Sequence, residues 1–399
     1  MTLSKLSSLI LPLIFLPIFS FGQACTAAQA QVDLDINNVS AILLSGGDMW
    51  WDLTNGKYIV PKPLPGGTPV AAMFTSSLWI GGVDNAGNLK LAAQTYRQSG
   101  DDYWPGPIIN GASPICSQWD QHYVVYGDEI ALVRLDFLDD GNVSSVPVNM
   151  LKWPARGNPY YSNHFPNVLP NQDLAPFYDQ DNDGIYDPYN GDFPIVGKQG
   201  CDTLYADQMI WWVINDLGNL HTQTGGAPIG VEIQTMAYSF ISPPLDYSTF
   251  YNYTIINKGV TSLNDTYITQ FSDPDLGCWD NDYIGNDSTR SMGIVYNATA
   301  TDPSCASVGY GNSIPLVGID MLSSPDDDNG VPLGMTSFFY FNNDFSPQGA
   351  PSNPGEYYGY MNGKWKDGSP IEYGGDGYNE GTFPTSHVYS GNPKDPNSW

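Results

Sequence analysis

The run YDQDNDGIYDPYNGDFP (residues 178–194) carries aspartates at 179, 181, 183, 187 and 192 and no lysine or arginine. Carboxylates on alternate residues, followed by a glycine, suit a hard divalent cation, which wants several oxygens from a chain that bends around it. Calcium loops take oxygens from positions 1, 3, 5, 7, 9 and 12 and place glycine at 6. Counted from Asp179, position 6 is Gly184. The expected ligands are Asp179, Asp181, Asp183, the carbonyl of Ile185, and Asp187. Position 12 is Asn190 rather than a bidentate glutamate, and Asp192 is the other candidate to close the site. So much like charge in one loop repels unless a cation compensates it. A bare, solvated acidic turn is the competing reading. Ile185, just after the glycine, is expected to plug the loop into a core.

A second acidic run, FSDPDLGCWDNDYIGNDS (271–288), holds Asp273, Asp275, Asp280 and Asp282 as a weaker candidate cation site. Its glycines do not fall at a standard calcium position, so aspartates capping backbone amides are the alternative. A third run, Asp326-Asp327-Asp328-Asn329-Gly330, reads as an exposed turn. No residues are put forward as catalytic. The four histidines, His122, His164, His221 and His387, lack the close spacing of a zinc motif, and no G-x-S-x-G elbow occurs. Trp50, Trp51, Trp104, Trp211 and Trp212 would stack on sugar rings if exposed, or fill a β core if buried.

These residues sit in a chain of 399, with 14 basic and 42 acidic residues and a net charge of −28. Such a balance excludes nucleic acid and anionic membrane surfaces, which require basic residues. With 41% apolar and 13% aromatic residues the chain is not an extended disordered coil. Only five of the acids are glutamate, and there are 42 glycines and 32 prolines. Aspartate, glycine and proline favour turns over helices, so many short strands are expected.

Residues 76–98 read as two strands around a hairpin, with Gly81-Gly82 and Asn85-Ala86-Gly87 as punctuation. Residues 128–137 fit a short helix or a strand, and 150–176 a loop. MIWWVIND (209–216), GVEIQTMAYSFI (230–241), TFYNYTIINKG (249–259) and MTSFFYFNND (335–344) read as strands.

The N-terminus reads as a secretory signal over 1–24, with Lys5, an apolar stretch over 9–21 too short to span a bilayer, and cleavage after Ala24. Cys25 follows at once, which raises lipidation, although Gly22 stands where a lipoprotein signal wants a larger aliphatic. No integral membrane segment is expected after signal removal. Of five cysteines, Cys278 and Cys305 are the first candidates for a disulfide, and buried free thiols are the alternative.

Several stretches together resemble a family of large exported Bacteroidota proteins of undefined function, sent out by type IX secretion. They are GGDMWWDL (46–53), SSLWIGGVDNAGNLKLAAQTYRQSGDDYWPGPI (76–108), LAPFYDQDNDGIYDPYNGDFPIVGKQ (174–199), MIWWVINDLGNLH (209–221), GVEIQTMAYSF (230–240) and DTYITQFSDPDLGCWDNDYIGNDSTRSMGIVYN (265–297). The resemblance implies the outer-membrane side of a Gram-negative bacterium, the cell surface or the extracellular space. It also implies a C-terminal sorting domain, so a chain ending DPNSW is expected to be truncated. In that setting Asp202-Thr203-Leu204 and Asp287-Ser288-Thr289 fit a short O-glycosylation pattern. The acidic loop itself resembles a thrombospondin type 3 repeat, because Pro188 and Pro194 disfavour a following helix.

The expected architecture is all-β, of sandwich type. An N-terminal β-rich region spans 25–175, a calcium loop 176–194 braces it against a β-sandwich over 195–399, and final strands are expected to be missing. The expected function is a non-catalytic, calcium-stabilised surface or extracellular protein, structural or adhesive, with surface glycans or extracellular proteins as partners. The alternative is a secreted polysaccharide-binding or glycoside-hydrolysing protein.

Overall fold

The computed structural model describes residues 24–200, 203–327, 329–392 and 399. The signal segment, apart from Ala24, lies outside the described residues, as do Cys201, Asp202, Asp328 and most of the final DPNSW. Strands β1 (Gln31–Leu34), β2 (Ser40–Leu44), β3 (Asp48–Met49), β4 (Tyr58–Ile59), β5 (Ala71–Met73), β6 (Thr75–Asp84) and β7 (Leu89–Ala92) build most of a first antiparallel sheet. β8 (Trp104–Pro105) and β9 (Tyr123–Tyr126) leave it for a second sheet. Helices α1 (Gly127–Asp140) and α2 (Val148–Leu151) follow. Next, β10 (Phe177–Tyr178) and β11 (Phe193–Pro194) pair around the acidic run. β12 (Gln208–Asn215), β13 (Val231–Ser239) and β14 (Phe250–Asn257) complete the second sheet, and β15 (Leu263–Asp273) returns to the first. A small sheet of β16 (Asp282–Asp287), β17 (Met292–Asn297) and β18 (Val317–Asp320), helix α3 (Pro354–Met361), and the pair β19 (Ile371–Glu372) and β20 (Pro384–Thr385) finish the chain.

The all-β class expected from composition is what forms, with antiparallel sheets packed as a sandwich. The sequence of β12, QMIWWVIN, explains the layering. It does not alternate between apolar and polar, and every one of its residues is buried, as a strand covered on both faces must be. Ile210, Trp212 and Ile214 meet Leu34, Leu43, Leu78 and Ile80 in the core between the sheets. Met209, Trp211 and Val213 face the other way, into a second core with Ile130 and Val133 of α1, Trp153, Tyr186 and Phe193. The acidic run therefore belongs to a third layer laid over the second sheet.

The expected hairpin is present as β6 and β7, its turn capped by Asp84, whose Oδ1 accepts the amides of Ala86 and Asn88. Gly81 and Gly82 are not punctuation; they lie inside β6. A Cβ on Gly81 would stand 3.0 Å from the sulfur of Met361 in α3, and one on Gly82 2.8 Å from the Thr266 hydroxyl oxygen in β15. Residues 128–137 resolve as helix, where Glu129 accepts the Tyr126 amide at one end and Gly141 stops the helix at the other. Residues 335–344 are not the expected strand. They make only isolated bridges at Phe338 and Asn342. Their aromatic side chains instead pack into a cluster with Tyr360 and Trp365.

The division at residue 175 is not the one the chain adopts. β15 pairs with β6 along nine residue pairs, from Leu263 opposite Asp84 to Asp273 opposite Thr75. β12 pairs with both β8 and β9. Each sheet thus takes strands from both halves, and the loop 176–194 does not lie between two β domains. The sheets are also tied at His221, whose Nδ1 lies 2.8 Å from the Leu91 carbonyl oxygen and whose Nε2 lies 2.8 Å from that of Asp216. The Asp102 and Asp216 carboxylates stand 3.6 and 3.8 Å from the same ring nitrogens. Cys278 and Cys305 form the expected disulfide, and Cys25 is joined to Cys116. That sulfur is not free for the lipid considered above.

Interleaved pairing has a direct consequence. A fragment ending at residue 175 keeps β6 without β15 and β9 without β12, so it should give the narrow amide dispersion of an unfolded chain in an NMR spectrum. A well-dispersed spectrum would contradict the pairing.

Candidate metal centre

The acidic run is held at both ends before any ligand is considered. Tyr178 pairs with Phe193, and their rings stack 4.8 Å apart. Between them Tyr186 is fully buried and donates its hydroxyl to the Met150 carbonyl at 3.0 Å. Tyr186 is therefore the plug, whereas Ile185, expected in that role, is 47% exposed. Asn182 (φ 61°) and Gly184 (φ 78°) take left-handed backbone, which turns the chain back on itself. Glycine adopts that conformation without a Cβ penalty.

This path brings Asp179, Asp181 and Asp192 together, with one carboxylate oxygen of each within 4.8 Å of the others. Of the two candidates to close the loop, Asp192 is the one whose carboxylate joins the cluster. It is 1% exposed, and its two oxygens accept the amides of Gln180 and Asp187, both at 2.8 Å. Asp179 accepts the amides of Asp183 and Gly184. Asp183 and Asp187, expected as ligands, stand outside the three-carboxylate cluster and serve the loop locally. Asp183 accepts the Ile185 amide at 2.7 Å. Asp187 caps the turn at Pro188–Asn190, accepting the Tyr189 amide and the Tyr160 hydroxyl. Asn190 lies in that turn and is exposed.

Burial pushes the Asp192 carboxyl up to about 6, two backbone amides pull it back, and the charges of Asp179 and Asp181 push it up again. A buried carboxylate beside two others is costly to ionise without a counter-charge. Three carboxylates are hard oxygen donors of the kind calcium takes, so the donor set fits a calcium ion.

The second run is only partly assembled. Burial raises Asp273 to about 6 and Asp275 and Asp282 to about 7, with neighbouring carboxylates adding to the last two. Asp273 accepts the Tyr96 hydroxyl, and Asp282 the Leu276 amide. Asp280 is exposed, its carboxylate 2.9 Å from the Cys278 sulfur, which the disulfide already occupies. Asp302, fully buried, joins this group by accepting the amides of Cys278 and Tyr310. Sequence reasoning missed it because it stands alone, twenty residues downstream of Asp282. Among the described residues, the only three-ligand grouping here counts Asp280 and the two disulfide sulfurs. In the third run Asp327 caps its own turn, accepting the Asn329 and Val331 amides.

The tryptophans named for sugar stacking do not offer their faces to solvent. Trp50, Trp51, Trp104, Trp211 and Trp212 are each at most 5% exposed and pack within the protein. His122 is half-buried, its imidazole pushed down to about 4 by desolvation and set 5.3 Å from the Trp212 ring. Among the described residues no helix is long and apolar enough to cross a membrane. No family model, curated protein or solved structure matches the chain.

Asp192, Asp273, Asp275 and Asp282 all titrate higher when folded than the value near 4 of an unfolded aspartate. Between about pH 4 and 7 these four carboxyls bind more protons in the folded state than in the unfolded one and together outweigh His122, which binds fewer, so stability falls as pH rises. For Asp192 alone that loss is at most about 2–3 kcal/mol. In EGTA, thermal melting should show a midpoint that drops from pH 5 to pH 7.5. A midpoint that rises over that interval would contradict the assignment.

Proposed function

We propose that this is an exported, calcium-stabilised structural or adhesive protein of the cell surface or extracellular space. The observation that carries the reading is the convergence of Asp179, Asp181 and Asp192 at the mouth of a loop anchored by Tyr186. A cation there compensates three carboxylates at once and fixes the path of residues 179–192. By linkage, an ion that binds only the folded chain stabilises it, by about 2.7 kcal/mol when free calcium is a hundredfold above the dissociation constant. Ambient extracellular calcium allows weak sites of this kind to fill. The apolar signal segment read in the sequence supports export. Glycans and other extracellular proteins are the partners this reading implies.

Thermal melting with millimolar calcium and with EGTA tests the reading. Calcium should raise the midpoint by several degrees in the native chain and by less than one degree in the double variant Asp179→Ala, Asp181→Ala. Equal midpoints in calcium and EGTA for the native chain would sink it.

A further inference from the structure

A cavity of about 170 Å³ opens between α1 and the clasp of β10 and β11. Its walls include Arg134, Tyr178, Gln180, Phe193, Thr203 and Tyr205. It is smaller than the roughly 300 Å³ at the low end of drug-sized pockets, so it accommodates one ring rather than an extended ligand. The Arg134 guanidinium lies 4.9 Å from the centre of the Phe193 ring and 5.4 Å from that of Tyr205, and its Nη1 donates to the Tyr205 hydroxyl at 3.2 Å. Stacking of this kind holds a guanidinium flat and leaves its remaining N–H groups to point outward. Among the described residues no carboxylate lies within ion-pair distance of Arg134, although the chain has 42 acids.

The cavity shares its backbone with the acidic cluster. Tyr178, Gln180, Gly191 and Phe193 face the cavity, while Asp179, Asp181 and Asp192, interleaved with them, face one another. The Gln180 amide donates to Asp192 and so ties the two sides together. Whatever fixes the carboxylates also fixes half of the cavity wall.

We propose that this cavity binds a single hexuronate ring and that the cation at Asp179, Asp181 and Asp192 shapes it. Arg134 takes the carboxylate through its planar fork. The Tyr178 ring, whose other face packs on Phe193, takes the C–H face of the sugar, and Gln180 and Thr203 take hydroxyls. The net charge of −28 opposes anions in general, so the ligand is one carboxylated sugar rather than a polyanionic chain. The coupling rests on the calcium reading above, whereas the pocket itself does not.

Calorimetric titration of the full chain with methyl glucuronide and methyl glucoside, in calcium and in EGTA, tests this, with calcium binding measured on the same samples. In calcium, methyl glucuronide should bind saturably and at least about tenfold more tightly than methyl glucoside. Arg134→Lys, on an exposed helix face, should keep the melting temperature and lose at least about tenfold in affinity. EGTA should weaken glucuronide binding in the native chain. No saturable glucuronide binding, equal binding of the glucoside, or unchanged affinity in Arg134→Lys overturns the pocket. Glucuronide binding that ignores EGTA, in a chain that does bind calcium, overturns the coupling. Glucuronide binding in a chain that takes up no calcium overturns the coupling and the calcium reading and leaves the pocket standing.

Discussion

Burial of both faces of the second sheet is the constraint from which the rest of the molecule follows. β12 offers Ile210, Trp212 and Ile214 to one side and Met209, Trp211 and Val213 to the other. Each large apolar side chain gains roughly 1.5–3 kcal/mol by leaving water, so neither face can stay bare. The first sheet covers one. The other is covered by α1, α2 and the irregular segment between residues 141 and 196, which would otherwise have little reason to be ordered. The acidic run is the rim of that cover. Its apolar residues, Tyr186 and Phe193, reach down to the sheet, and its carboxylates are left at the top edge.

The aspartates of this chain divide by environment. Asp327, Asp344 and Asp367 sit in surface turns, and hydrogen bonds to nearby amides and side chains draw their carboxyls below the usual range. They are anions at ease in water. Asp192 makes two good amide hydrogen bonds and is still raised, because burial and two neighbouring carboxylates outweigh them. The difference separates an acid that shapes a turn from one that calls for a counter-ion. Asp187 shapes a turn too, since its oxygen caps the residues that follow it.

Much of the fold was legible because local pattern and burial agree. The uninterrupted apolar run of β12 and the Asp-Asn-Ala-Gly-Asn turn after β6 each point to one structure. The register of the acidic loop was partly legible: Gly184 takes left-handed backbone at the position where a glycine was expected to bend the chain. The choice between Asn190 and Asp192 to close it was not, because Asp192 arrives through the pairing of Tyr178 with Phe193, a contact fifteen residues apart in sequence. The domain boundary failed for a related reason. Strand order in an antiparallel sandwich is set by pairing across the whole chain, and nothing in residues 75–84 announces that residues 263–273 will lie beside them. Residues 335–344 misled in the opposite sense, since aromatic residues favour strands and clusters alike.

We propose that a calcium ion sits among Asp179, Asp181 and Asp192. The most direct measurement is a crystal grown in calcium, with anomalous diffraction data collected at a long wavelength. A calcium ion there should give an anomalous peak bonded to oxygens of all three aspartates at about 2.3–2.6 Å. Ordered density for the loop with no peak among those carboxylates, or with a water hydrogen-bonded in their midst, would contradict it.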